Sequence, residues 1–380
     1  MGIDESAWNQ ELEEFLRRIR PGGVIFFHHN IQTAQQFREL VNKVREAMEI
    51  TPFLALDLEG GRVDRLRDVL ASLPAARDVA KAGFGEAMGR MAGRELAAFS
   101  LNVDFAPVLD LGAPESREIL GSRTASDSPM EVARFAEGFL RGLAASGVLG
   151  CGKHFPGLGS GQKDSHKQLP SVEKEESKMW QEDLWPFRAL ASKLPMIMVA
   201  HVHCPGLLKA LAPEESNVSP PLPATLSRGI VSVLLKGRLG FQGLVLSDDL
   251  EMGGVLEGRT MAEAAAAALR AGCDMVLLCG PAANTRKVFE ALLQQANSNP
   301  PLRRILEDAS EKVLRVKNIY GITSGSREKR KENRPADPSL ADFTALRSEI
   351  EEFSAAVRQR LQAQTPAKGG KEDVSDRSES

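Results

Sequence analysis

The sequence predicts an α/β fold of the (β/α)8-barrel type, and three observations predict it. Seven short apolar runs recur between residues 22 and 280. Stretches of helical periodicity separate them. Acids and histidines collect at the carboxyl ends of the runs. Strands buried on both faces of a parallel sheet read as near-continuous hydrophobic runs, and strands that alternate with helices imply βα units.

In order, the runs are 22–27 (GGVIFF), 53–58 (FLALDL), 103–109 (VDFAPVL), 148–155 (VLGCGKHF), 195–202 (PMIMVAHV), 243–250 (GLVLSDDL) and 275–280 (MVLLCG). Helical periodicity is clearest over 33–49, 129–146 and 261–271. A closed barrel of this kind has eight strands. Seven runs are one short, so either the first strand lies outside this chain or the barrel closes with a gap. The barrel is assigned to residues 1–322. A polar linker with the basic run REKRKENR follows over 323–339, where a solvated charge run is the expectation. Leu340, Phe343, Leu346, Ile350, Phe353, Val357 and Leu361 then recur at three- and four-residue spacing. That predicts one amphipathic helix over 340–363, packed on the barrel. Residues 364–380 read as a disordered tail.

Composition narrows the function. With 42% apolar residues, 26% charged residues and a net charge of -3, the chain has no general attraction for nucleic acid or an anionic membrane. A single Tyr argues against a stacking platform for single strands. No run reaches the ~18 apolar residues of a membrane span. The acidic start, MGIDESAWNQELEEF, is unlike a signal peptide. Cys151, Cys204, Cys273 and Cys279 form no C-x-x-C pair and read as small core thiols in a reducing compartment. These features predict a cytoplasmic protein, a monomer or weak homodimer, with a small-molecule partner.

The polar strand ends carry the chemistry. Asp57, Glu59, Asp110, Lys153, His154, His201, His203, Asp248 and Asp249 all end or follow apolar runs. In parallel α/β folds these ends form the ligand face, and such residues are costly to bury without a purpose. The segment KHFPGLGSGQKDSHKQLP begins at Lys153 and holds Gly157, Gly159 and Gly161, then Asp164 and His166. An Asp beside a His can orient the ring and raise its basicity, which suits proton transfer in both directions. In GFQGLVLSDDLEM two acids end a strand. Adjacent strand residues point to opposite faces, so one of Asp248 and Asp249 enters the site, and spacing does not say which. In DLEGGRVDR, Asp57 can accept sugar hydroxyls and Arg62 or Arg65 can donate to them; an internal Asp/Arg pair is the other reading.

These segments, with DFAPVLD, AHVHCP, PATLS and AGCDMVLLC in the same order, resemble glycoside hydrolase family 3. The likeness runs from about Arg20 to Gly280 and is greatest to the single-domain β-N-acetylhexosaminidases of the NagZ type, which act in bacterial cell-wall recycling. The resemblance implies a retaining enzyme that removes terminal β-linked GlcNAc by double displacement, from a saccharide or muropeptide, without metal or other cofactor. It implies Asp248 as nucleophile, Asp164 and His166 as the acid/base dyad, and Asp57, Arg65, Arg123, Lys153 and His154 as substrate contacts. Arg123, in GSR, matches its family segment only loosely. Leu158 departs from the family, in which many relatives have His. The family's first strand precedes GGVIFF, and Met1 falls after that point.

Two other classes fit parts of the sequence. His201-x-His203 at a strand end is the feature of a metal-dependent amidohydrolase. Against it, that class places the pair on the first strand with further His ligands downstream, and none follows here. A non-catalytic glycan-binding barrel would account for a missing strand.

Overall fold

The computed structural model describes residues 1–114, 116–159, 161, 169–322 and 339–364. Each of the seven apolar runs contains a strand. They are β1 (Gly23–Ile25), β2 (Phe53–Leu56), β5 (Val103–Asp104), β6 (Leu149–Phe155), β7 (Met196–Val199), β8 (Leu244–Asp249) and β9 (Met275–Leu277), and a small antiparallel pair, β3 (Leu58–Gly60) and β4 (Val63–Asp64), follows β2. The seven form one parallel sheet in chain order, with only the antiparallel pair set aside. Helices Ala34–Ala47, Pro129–Ala144 and Met261–Ala271 occupy the three periodic segments. Thr33 and Thr260 each close a capping box, which satisfies amide groups at the helix start.

The strands show no alternation in the sequence because both faces are buried. Phe53, Ala55, Val103, Leu149, Cys151, Met196, Met198, Leu244 and Leu246 form one core within the sheet. Val24, Leu54, Leu56, Ile197, Val199 and Val245 face the helices in another. The two sets alternate along each strand, as the pleat requires. Each fully buried Leu, Val or Phe contributes about 1.5–3 kcal/mol.

The sheet carries the seven strands counted in the sequence, and an eighth that would complete a closed barrel is not found among the described residues. Its edge strands are bridged by backbone hydrogen bonds through the first two residues: Ile25 N donates to Met1 O (2.9 Å), the Met1 ammonium to Gly23 O (3.0 Å), and Gly2 N to Leu278 O (2.8 Å). Gly2 is tightly enclosed, since a Cβ there would stand 2.6 Å from Cys279 O. A cavity of about 1010 Å³ opens beside this seam, lined by Gly22, Met48, Met275, Val288, Val313 and Lys317 among others. It lies at the amino ends of β1 and β9, away from the polar strand ends. Three of the four cysteines are buried and all are free; Cys279, at the seam, is half-buried rather than a core thiol.

Helix Leu340–Gln364 lies against the sheet's helical layer. Phe343 packs on Phe99 with ring centroids 5.1 Å apart, and Arg347 Nη2 donates to Leu70 O (2.8 Å). Of the linker assigned to 323–339 and the tail assigned to 364–380, residues 323–338 and 365–380 lie outside the described residues. No helix among the described residues is long and apolar enough to cross a membrane.

A buried acid beneath the sheet yields one prediction. Neither carboxylate oxygen of Glu95 has a hydrogen-bond partner among the described residues, nor has Asp104 Oδ2. Burial, then the charges of Asp64 and Asp104, push Glu95 well above its ordinary value of 4.5. The folded state therefore holds this proton longer than the unfolded chain, and stability falls as pH rises from 4.5 toward the folded value. Glu95→Gln removes that dependence. Urea unfolding is expected to show the variant about 1–3 kcal/mol more stable than wild type at pH 8 and nearly equal near pH 4.5. An equal difference at both pH values would place the effect elsewhere.

Candidate active site

The polar strand ends meet as one connected network. Lys153, near the end of β6, is 3% exposed. Its Nζ donates to Asp57 Oδ1 (2.6 Å), just past β2, and to Glu59 Oε1 (2.7 Å) on β3. Arg123 grips the same Glu59 in a fork, Nε to Oε2 at 2.7 Å and Nη2 to Oε1 at 2.8 Å. Burial acts to raise the Glu59 carboxyl, but Lys153 and Arg123 overcome it and hold the group far below the usual carboxylate range. Burial likewise works against the Lys153 cation, and Asp57 and Glu59 reverse this, keeping it charged well above its ordinary value. Two cations and two anions thus satisfy one another where a single one would not be tolerated.

Arg65 Nη2 stands 3.7 Å from Asp57 Oδ2, and its guanidinium lies 5.9 Å from the Phe27 ring centroid. Arg62 turns instead to the carbonyls of Glu118 and Ile119. Of the two arginines that spacing left open, Arg65 is the one beside Asp57.

His154 is held by Asp110. Its Nδ1 lies 2.6 Å from Asp110 Oδ2, which also accepts from His154 N (3.2 Å), while Asp110 Oδ1 accepts from Leu158 N (2.7 Å). A carboxylate on Nδ1 fixes that nitrogen as a donor. The Leu158 side chain packs on the main apolar core. The two ends of the loop around the D-x-H motif are anchored on this face. Ser116 Oγ donates to Gly159 O (2.6 Å), and His203 N to Pro170 O (2.8 Å). Asp164 and His166 themselves lie outside the described residues.

At β8 the two adjacent acids separate. Asp249 Oδ1 accepts from Glu251 N (3.1 Å) and Cys279 N (3.1 Å), so this carboxylate closes the turn and ties β8 to β9. Asp248 Oδ1 accepts from Asp249 N (2.8 Å). Burial raises the Asp248 carboxyl, yet His154, His201, the Asp249 amide and Lys153 together leave it below its ordinary 3.8. Asp248 is the acid of this pair that sits among the site's cations.

His201 Nδ1 lies 2.9 Å from Thr225 Oγ1 and its Nε2 2.9 Å from Asp249 O, while His203 Nδ1 lies 3.1 Å from Leu222 O. With both His201 nitrogens committed to protein oxygens, this ring has none for a metal. No group of three His, Cys, Asp or Glu side chains is placed to hold one among the described residues. The ligand set that favoured an amidohydrolase is not assembled.

The structure thus brings Asp57, Arg65, Arg123, Lys153, His154 and Asp248 to one end of the sheet. Three further residues had no assigned role: Glu59, which joins Lys153 to Arg123; Asp110, which orients His154; and Thr225, under His201. Glu59 and Asp110 were visible as acids at strand ends. Thr225 carried no signal beyond its place in PATLS.

The family model described as Glycosyl hydrolase family 3 N terminal domain matches residues 2–316. A Beta-hexosaminidase of Alkalilimnicola ehrlichii is 39% identical over 289 residues, 73% of this chain and 79% of that protein. A Beta-hexosaminidase of Pseudomonas aeruginosa strain PAO1 is 38% identical over 297 residues, 77% of this chain and 85% of that protein. Among solved structures, a glycoside hydrolase family 3 beta-N-acetylglucosaminidase from Paenibacillus sp. superposes with a TM-score of 0.80 at 27% identity, covering 93% of this chain and 67% of that one. NagZ from Neisseria gonorrhoeae, in complex with N-trifluoroacetyl-D-glucosamine, gives 0.71 at 27% identity and covers 93% and 97%.

Proposed function

The chain belongs to glycosyl hydrolase family 3, and we propose that it is a β-N-acetylhexosaminidase that acts with retention through a covalent glycosyl-enzyme. The observation that carries this reading is Asp248: a carboxylate kept ionised among His154, His201 and Lys153 at the ligand end of the sheet. An anionic nucleophile is what double displacement requires. Asp248 attacks the anomeric carbon as the glycosidic bond to the leaving oxygen breaks. His166 protonates that oxygen, and Asp164 steadies the imidazolium, as the buried acid does in a hydrolase triad. His166 then takes a proton from water, which attacks the same carbon and expels Asp248. Two inversions restore the β-configuration. Asp57, Lys153, His154, Arg123 and Arg65 hold the sugar. No step needs a metal or cofactor. The substrate class is a saccharide or muropeptide bearing terminal β-GlcNAc, and the setting we propose is peptidoglycan recycling in the cytoplasm.

The test compares aryl β-GlcNAc and aryl β-glucoside with and without phosphate, in wild type and His166→Ala. Wild type is expected to cleave the GlcNAc substrate and not the glucoside. His166→Ala is expected to lose about 10²–10⁴-fold with a poor leaving group and far less with dinitrophenolate, which leaves without a proton. A folded wild type that turns over neither substrate would leave a non-catalytic glycan-binding role. Phosphate-dependent release of GlcNAc-1-phosphate would make the acceptor phosphate rather than water.

A further inference from the structure

His201 is the one buried histidine on the ligand face to which the proposed mechanism gives no task. It is fully buried, as is Thr225 beside it. Each of its two ring nitrogens stands at hydrogen-bond distance from a protein oxygen. Thr225 Oγ1 has a single hydrogen, and it lies 2.7 Å from Ala200 O and 3.0 Å from Val199 O. Neither carbonyl can donate, so the hydroxyl hydrogen must point to them; otherwise two oxygen pairs would face each other unbridged. Thr225 Oγ1 is then an acceptor toward His201 Nδ1, which must carry a proton. On the ring's other side, Nε2 stands 2.9 Å from Asp249 O, a carbonyl that only accepts. Nε2 must carry a proton too. A neutral imidazole has one N–H, and this environment asks for two.

We infer that His201 is a fixed imidazolium that positions and charges the nucleophile segment. Its position explains the use. Nε2 holds the Asp249 carbonyl, and the amide of the same residue donates to Asp248 Oδ1 at 2.8 Å. The cation therefore clamps the residue that follows Asp248 while adding positive charge beside a carboxylate that must stay ionised. Asp248 on β8 interacts electrostatically with His201 and also with His154 and Lys153 on β6, while Asp249 interacts with the Met1 ammonium at the seam. The Asp248 carboxylate, which interacts with the ring, offsets part of the cost of burying its charge. Thr225 selects the state: a side chain that could donate to Nδ1 without owing its hydrogen to a carbonyl would permit the neutral ring. His201 is a positioning residue, acting on the substrate only through Asp248.

This rests on Asp248 being the nucleophile, but its first test does not. In protein labelled with 15N-histidine, with His201→Asn used to assign the resonance, both His201 nitrogens are expected at protonated shifts at pH 7. They should remain there at pH values where an unperturbed imidazole has lost its proton. One deprotonated His201 nitrogen at pH 7 would overturn the inference whatever the enzyme's activity. The kinetic test uses His201→Gln, whose amide can still donate to Asp249 O but carries no charge. Expected is a fall in kcat of about 10²-fold with KM nearly unchanged, and an acid limb of kcat/KM displaced to higher pH. An unmoved acid limb would show a merely structural residue and sink the proposed role. A wild type with no glycosidase activity but a doubly protonated His201 would instead refute the proposed function and leave the charge assignment standing.

Discussion

Asp248→Asn is expected to leave the fold intact and to lower GlcNAc release by at least about 10³-fold, a loss typical of a removed nucleophile. The isosteric amide can still accept the Asp249 amide through its oxygen, so the turn that follows β8 keeps its bond. What it lacks is the negative charge that attacks the anomeric carbon. Asp248→Ala opens space at the same point, and added azide should then restore turnover of an activated aryl glycoside, forming the α-glycosyl azide by a single inversion. Asp249→Ala makes the contrast. It strips the acceptor from Glu251 N and Cys279 N, which loosens the β8–β9 junction. Its main expected effect is on stability, with activity reduced but not abolished. A near wild-type rate in Asp248→Asn would end the nucleophile assignment. Because Asp248 is held below 3.8, it stays ionised throughout the ordinary working range.

Much of this site was legible because buried chemistry is expensive. A lysine and a histidine at the end of an apolar run, Lys153 and His154, have little reason to be there unless something pairs with them. The same logic marked Asp57 and Asp248. The choice between Asp248 and Asp249 was not legible from spacing. It depends on which carboxylate meets the amides of Glu251 and Cys279, and Cys279 arrives from a different strand. Likewise Glu59 lies two residues past Asp57, but its value comes from Arg123, 64 residues away. Such pairings are long-range facts that local pattern does not contain. The strand count was readable for a simpler reason: fully buried strands announce themselves by continuous hydrophobicity. The backbone bridge at Met1 and Gly2 was not, since two residues make no periodic signal.

Lys153→Met carries the second large effect, and it should be read in stability as well as rate. The wild-type cation is nearly inaccessible and neutralises Asp57 and Glu59 at 2.6 and 2.7 Å. Methionine fits a space shaped for an unbranched chain but leaves both carboxylates short of a partner. Removing one member of a buried ion pair costs about 3–5 kcal/mol. The pH dependence follows from Glu59. In wild type its carboxyl is depressed by Lys153 and Arg123, so its contribution is present above the unfolded value of 4.5 and is lost only as pH falls toward its much lower folded value. In the variant half of that support is gone and burial acts against the charge. The stability difference from wild type should therefore be largest at pH 7–8 and shrink toward pH 4. Glu59→Gln added to Lys153→Met removes one orphaned charge and should recover part of the stability at pH 7. It should not recover turnover, since the sugar contact and the positive charge near Asp248 remain lost. Urea midpoints with GlcNAc kinetics across the three proteins separate the two roles. If the double variant regained activity along with stability, Lys153 would be serving the fold alone. If the single variant matched wild-type stability at pH 8, the buried network would not be the keystone its distances describe.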